Sequence, residues 1–325
     1  MEILHVIEPN CQIHKQFHSI VIKKQGKKLR DIPINNLKTI IVYGYNQVTT
    51  QVIHQMAERG INIVFASLSG SMKAMIMTAK SNNVILRMAQ YSAWKDPTKG
   101  LHISRKLIES KVQGQIAVLQ QHKKKLPINV YEDILRTMNH QLDAVTKVNN
   151  TNQLFGIEGA SAKAYFSGFD YFLINHHFEH RERRPAYDPV NALLNLTYMT
   201  LLRSVFLDLE ANGFDSELGF MHGIRYGRES LALDCVEPLR PFADIFVIKL
   251  LNTKQIKTDM FVTTEEDGCR LGEDGFKKYM QLYHKHFIDG DLIMLHEEIE
   301  KQTHYLKKYL LEEKNFKAIL PYIAK

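Results

Sequence analysis

Cysteine is scarce in this chain: Cys11, Cys235 and Cys269 are the three among 325 residues. They are odd in number, far apart and form no Cys-x-x-Cys pair, so neither a disulfide framework nor a thiolate zinc site is supported. A secretory signal is also missing, because Met-Glu-Ile-Leu-His places Glu2 where a basic residue would be expected. No run reads as long enough to span a membrane. These absences predict a reducing, cytoplasmic setting without a membrane. Gly-x-Ser-x-Gly, P-loop and His-Glu-x-x-His patterns are absent too. Acyl-enzyme chemistry and nucleotide hydrolysis are thereby disfavoured, as is a zincin site.

What is present fits a globular protein of about two domains. The formal charge of +7 and the pI near 9.1 favour an anionic partner, nucleic acid or an acidic membrane surface, over a basic ligand. Residues 1–87 alternate short Ile/Val-rich runs with Gly and Asn turns, and one helical stretch between Asn46 and Arg59 interrupts them. This reads as a β-rich domain. A linker is expected at 88–100, around Asp96-Pro97, and residues 101–325 read as a larger all-helical domain. The fold class is therefore α+β.

The helix expected at Pro189–Ala211 begins at Asp188-Pro189, a capping acid followed by proline at the first helical position, and stops at Asn212-Gly213. Its apolar character on most sides predicts burial. Asn191, Asn195 and Tyr198 make one polar stripe along it, which either hydrogen-bonds internally or lines a wet cavity. The segment Asn175–Pro189, with His176, His177, His180 and three arginines, reads as a solvated basic loop better suited to phosphate than to zinc.

Chemistry concentrates between Gly219 and Pro241. His222 sits in a glycine-flanked loop, followed by an apolar segment carrying Asp234 and Glu237 on one helical face. An imidazole and two carboxylates aimed at one point suit a hard-to-borderline divalent cation. Glu158, embedded upstream among small and apolar residues, supplies a third acid. Each residue alone is also explained as a cap, a core imidazole or an acid paired with Arg225, Arg228 or Arg240. Buried acids, however, are costly unless paired or metal-bound.

The blocks Gly156-Ile-Glu-Gly159 with Ala164-Tyr-Phe166, Arg184-Pro185, Asp188-Pro-Val-Asn-Ala-Leu-Leu194, Gly219-Phe-Met-His222 and Ser230-Leu-Ala-Leu-Asp-Cys-Val-Glu-Pro-Leu-Arg-Pro241 occur in one order. In this they resemble the CRISPR-associated adaptation integrase/endonuclease family, the first-numbered Cas proteins. The resemblance implies the same β-then-α architecture, with metal ligands at Glu158, His222 and Glu237 and a further active-site acid at Asp234. It implies DNA-contacting or orienting roles for Tyr165, Arg184 and Asn191. Cys235-Val236 departs from the family's usual wording with apolar replacements only. The activity implied is joining of DNA 3′-hydroxyl ends to a CRISPR repeat by transesterification, with Mg²⁺ or Mn²⁺. Arg184, Arg225, Arg228 and Arg240 would then hold the backbone. Also implied are a homodimer built partly through the β-rich domain and a small companion, the second-numbered Cas protein. Two competitors stand beside this reading: a metal-dependent nuclease using the same site, and a non-catalytic DNA-binding scaffold.

Overall fold

The computed structural model describes residues 2–35, 37–67, 72–76, 83–182, 185–312 and 316–318. A strand-rich N-terminal region is followed by a helical one. The chain divides into two compact units, one of residues 1–80 with 271–282 and the other of 81–270 with 283–325.

In the first unit the strands are β1 (Glu2–Val6), β2 (Cys11–Gln16), β3 (Ser19–Lys24), β4 (Lys27–Pro33), β5 (Leu37–Tyr43) and β6 (Gln47–Val48). The helix α1 (Thr50–Glu58), β7 (Asn62–Ala66) and β8 (Met72–Ile76) follow. One sheet has the order β1-β5-β7-β8, parallel except at β7/β8, and the second the order β4-β3-β2-β6. The two-residue turn between β3 and β4 is Gln25-Gly26, both at positive φ (50° and 77°). That geometry matches the right-handed twist of the paired strands, and glycine meets it without strain. Alternate strand residues such as Ile13, Ile20 and Val42 meet Val52 and Met56 of α1 in one buried core.

The second unit contains α2 (Val84–Lys95), α3 (Pro97–Gln121), α4 (Ile128–Val145), α5 (Thr151–Ser167), α6 (Pro189–Ala211), α7 (Ser230–Val236) and α8 (Arg240–Asn252). A hairpin of β9 (Phe261–Thr264) and β10 (Gly268–Leu271) interrupts the expected all-helical region. After α9 (Glu273–Tyr283), whose residues to Leu282 belong to the first unit, α10 (Leu295–Glu312) returns to the second.

Residues 88–100, expected as a linker, lie in α2 and α3 instead. The reason is local. Asp96 accepts from the N–H groups of Thr98 (2.9 Å) and Lys99 (3.2 Å), with Pro97 in the first turn, so Asp96-Pro97 starts a helix and does not separate domains.

The bounds of α6 match the capping signals, and Asp188 accepts from the Asn191 N–H at 2.8 Å. Contrary to the sequence reading, this helix is long and apolar enough, by length and composition, to cross a membrane. Sixty-seven per cent of its apolar stretch is buried inside the protein, where α7, α8 and α10 pack around it. An all-round apolar surface is what a central core helix requires.

Candidate active site

A cavity of about 750 Å³ opens in the second unit between α3, α5, α6, the loop before α6 and the α7–α8 corner. On α3, Ile103, Leu107, Lys111, Gln115 and Leu119 recur every fourth residue along one buried line. Lys111 therefore enters the interior by the phase of its helix. Its ammonium contacts Glu158 Oε1 on α5 and lies 2.7 Å from Glu237 Oε2. Arg240 Nε reaches the same Glu237 oxygen at 2.9 Å.

Burial alone would push the Glu237 carboxyl up. Arg240 and Lys111 beside it prevail and hold it at about 2. The Glu158–Lys111–Glu237–Arg240 chain is formally neutral, which is how Lys111 and Glu237 persist in the interior with Glu158 and Arg240 half-buried beside them.

His222 is fixed by a different device. Asp234, 1% exposed, accepts from the N–H groups of Phe220 (2.6 Å), Met221 (2.9 Å) and His222 (2.9 Å). The His222 ring presents Nδ1 to Asp234 Oδ1 at 2.6 Å. The carboxylate accepts, so Nδ1 carries the proton, and in the neutral ring the lone pair is then on Nε2. Gly219 makes this wrap possible: a Cβ there would sit 2.8 Å from Asp234 Oδ2 and 2.7 Å from the Ser230 carbonyl carbon.

Behind these groups lies a further buried carboxylate, Asp244, which accepts from the Tyr198 hydroxyl. Burial pushes Asp244 up to about 6; the Tyr198 and Tyr165 hydroxyls, with Arg181 and Arg240 farther off, offset this only in part. The Tyr198 ring carries two guanidinium groups, Arg240 at 4.6 Å and Arg181 at 5.3 Å from its centroid. Arg181 also donates to Asn191 (2.9 Å) and Asn195 (2.6 Å). Both expectations for the α6 stripe are thus met at different residues. The asparagines are internal hydrogen-bond partners, and Tyr198 lines the cavity.

Of the predicted residues, Glu158, His222, Glu237 and Arg240 line this cavity. Asp234 and Glu237, expected on one helical face and aimed at one point, do not converge: Asp234 lies in α7 and serves the His222 loop, whereas Glu237 lies just past its end and serves Lys111 and Arg240. Tyr165 is fully buried among Phe166, Phe169 and Phe172, which excludes a DNA contact as it stands and leaves an orienting role. Asn191, 1% exposed, ties down the 180–182 backbone by donating to His180 O and accepting from Glu182 N–H. Arg240 is held inward by Glu237. Arg228 braces its own loop through Gly223 O and Ser230 Oγ (3.2 Å), while Arg225 is exposed. Arg184 lies outside the described residues.

Two carboxylate oxygens meeting one cationic atom, with an imidazole held by an acid on the same cavity wall, are donors suited to Mg²⁺ or Mn²⁺. As they stand, no three His, Cys, Asp or Glu side chains among the described residues are gathered closely enough to hold a metal. The Lys111 ammonium lies between the two glutamates.

Sequence reasoning missed Lys111 and Arg181. The signal for Lys111 was available: a lysine in phase with Ile103, Leu107 and Leu119 on a core-facing line. Arg181 was hidden in a loop whose charges look solvated, and its asparagine and tyrosine partners on α6 bring it to the cavity.

The family model described as "CRISPR associated protein Cas1" matches residues 4–285. A relative from Moorella thermoacetica, named CRISPR-associated endonuclease Cas1 1, is 30% identical over 291 residues, covering 87% of this chain and 85% of its own. Among solved structures, a casposase bound to integration product aligns with a TM-score of 0.86 at 22% identity, over 100% of this chain and 95% of that one. A chain of a Cas6-RT-Cas1–Cas2 complex aligns with a TM-score of 0.83 at 24% identity, over 98% of this chain and 36% of that one. At such identities the structural likeness shows the fold, while the family model and the Moorella relative show the lineage: this chain belongs to the CRISPR associated protein Cas1 family.

Proposed function

We propose that this protein is a metal-dependent DNA integrase of CRISPR adaptation, joining the 3′-hydroxyl ends of short DNA fragments to a CRISPR repeat. The observation that carries the reading is the meeting of Glu158 and Glu237 on one cationic atom, in a cavity that His222 also lines. In each joining a new O–P bond forms from the incoming 3′-oxygen. The bond from phosphorus to the departing strand's 3′-oxygen breaks, and the proton of the attacking hydroxyl ends on that oxygen. No protein nucleophile is needed, in keeping with the absence of nucleophile motifs.

Glu158, Glu237 and His222 through Nε2 would hold Mg²⁺ or Mn²⁺. Once bound, the ion supplies Lewis-acid neutralisation at the attacked phosphate and lowers the pKa of the attacking hydroxyl. Asp234 keeps the imidazole in the tautomer with Nε2 available. Arg181, backed by Asn191 and Asn195, offers a pre-positioned cation at the cavity wall for a phosphodiester. Exposed cations such as Arg225 and Lys163 extend that field outward, and the net positive charge favours the same partner.

The name of the casposase structure supports joining over simple cleavage, and that of the Cas1–Cas2 complex supports a small Cas2-type companion. Homodimerisation through the β-rich unit is supported by β4, an edge strand exposed along most of its length. Light scattering of Leu29→Lys against wild type tests it, with loss of dimer expected.

The activity test supplies a short duplex with free 3′-hydroxyls, a supercoiled plasmid bearing a repeat, and Mn²⁺, Mg²⁺ or chelator. Covalent joining that requires metal and the 3′-hydroxyl, and is lost in His222→Ala, is expected. The endonuclease name of the Moorella relative favours a second outcome, hydrolysis at the same site. Metal-dependent nicking without joining, even with the companion protein present, would select that reading.

A further inference from the structure

Lys111 occupies the place that the metal reading assigns to a divalent ion. Its ammonium bridges Glu158 and Glu237, and its side chain is 5% exposed. With Arg240 on the other side of Glu237, the two acids are already matched by two cations. Adding a divalent ion to that set would leave two positive charges in excess inside the protein, unless a cation leaves or an anion arrives.

The two resident cations are not equally able to leave. Arg240 is pinned between Glu237 and the Tyr198 ring. Lys111 ends in a compact ammonium on a flexible four-carbon stem, and it borders a cavity of about 750 Å³ with room for another position.

We propose that Lys111 is a built-in competitor for the metal position, coupling metal uptake to DNA binding. In the metal-free protein it neutralises Glu158 and Glu237 and keeps the site closed to tight metal binding. When a phosphodiester enters the cavity, the ammonium turns onto the phosphate, and the glutamates are released to the ion. Metal and DNA then strengthen each other's binding, and by linkage the factor is the same in both directions. The site would stay largely metal-poor until DNA is in place, which guards against hydrolysis by an idle, loaded enzyme. This inference rests on the metal-dependent reading above.

The test is Mn²⁺ binding to the full chain, followed by electron paramagnetic resonance and calorimetry. It is run with and without a short duplex whose 3′ ends are deoxy, so that no joining occurs. In wild type the duplex is expected to tighten Mn²⁺ binding at least about tenfold. Lys111→Met is expected to bind Mn²⁺ about tenfold more tightly than wild type without DNA, and to gain less than about threefold from the duplex. Lys111→Arg, whose planar guanidinium can hold both carboxylates at once, is expected to bind more weakly than wild type without DNA.

Removing the lysine leaves the buried Glu237 facing the half-buried Glu158, so melting temperatures are recorded with and without Mn²⁺. A Lys111→Met protein that is loose without metal and firm with it supports the competition. Equal Mn²⁺ affinity across wild type and both variants overturns the inference while leaving the metal reading intact. Absence of Mn²⁺ binding in all three, with or without duplex, overturns the metal reading and the inference together.

Discussion

Glu237 and Asp244 are buried carboxylates seven residues apart at the same corner of the chain, and the protein treats them in opposite ways. Glu237 faces two cations directly and is held at about 2. Asp244 faces tyrosine hydroxyls, with the nearby guanidinium groups spread over the Tyr198 ring, and rises to about 6. Burial acts on both in the same direction, so the sign of the outcome depends on whether the nearest partner is charged or neutral. The difference separates their uses. A carboxylate kept anionic at every physiological pH can serve as a cation ligand, whereas one titrating near neutrality suits a supporting position.

Removing the charge of Glu237 breaks the comparison most severely. Glu237→Gln leaves the half-buried Arg240 without its acid and Lys111 with Glu158 alone. DNA joining is expected to fall on the order of a thousandfold, and stability by about 3 kcal/mol. Strand-transfer rates and urea midpoints at pH 7 measure the two losses. Joining within tenfold of wild type would remove Glu237 from the list of ligands.

The two acids also predict opposed dependences of stability on pH. Glu237 is depressed, so its contribution is complete above about 4.5 and is lost as pH falls toward about 2. Asp244 is raised, so the folded protein binds its proton more tightly than the unfolded chain does. Stability is then highest below about 4 and declines as pH rises through about 6. Asp244→Asn keeps an acceptor for the Tyr198 hydroxyl and cannot ionise. Relative to wild type, it is expected to gain stability steadily between pH 4 and pH 6, reaching about 3 kcal/mol above that window. Parallel urea midpoints for the two proteins across pH 4–7 would show that Asp244 does not carry this titration.

How much of this was legible in the sequence depends on whether a residue's partners are local. Asp188-Pro189 and Asn212-Gly213 bound α6 correctly because capping chemistry lies within a few residues. Glu158, His222, Asp234 and Glu237 could be named because the motif blocks carry them. Asp96-Pro97 was misread because an acid followed by proline serves equally to start a helix or to separate domains, and only the helix that follows decides. Lys111 depends on Glu158 and Glu237, far away in the chain, and Arg181 on Asn191 and Asn195, 10 and 14 residues on and across an irregular loop. The opposed fates of Glu237 and Asp244 lie further still from the sequence, since both acids sit in apolar helical runs and differ only in what three-dimensional packing sets beside them.

The finest test separates the two things Tyr198 supplies, a hydroxyl to Asp244 and a ring to Arg181 and Arg240. Tyr198→Phe removes the first and keeps the second. Asp244 then loses a donor that favours its charged form, so its titration is expected to move above 6. The cost should be small at pH 4, where the acid is protonated, and grow to about 1–2 kcal/mol at pH 7, where a buried charge has lost a hydrogen bond. Glu237 keeps both of its cations in this variant, and joining at pH 7 is expected to stay within about threefold of wild type. Urea midpoints across pH 4–8, with strand transfer measured on the same protein, decide the matter. A pH-independent cost would assign the hydroxyl a purely packing role, and a collapse of joining would mean that Arg240 is steered through Asp244 and not held by Glu237 and the aromatic ring.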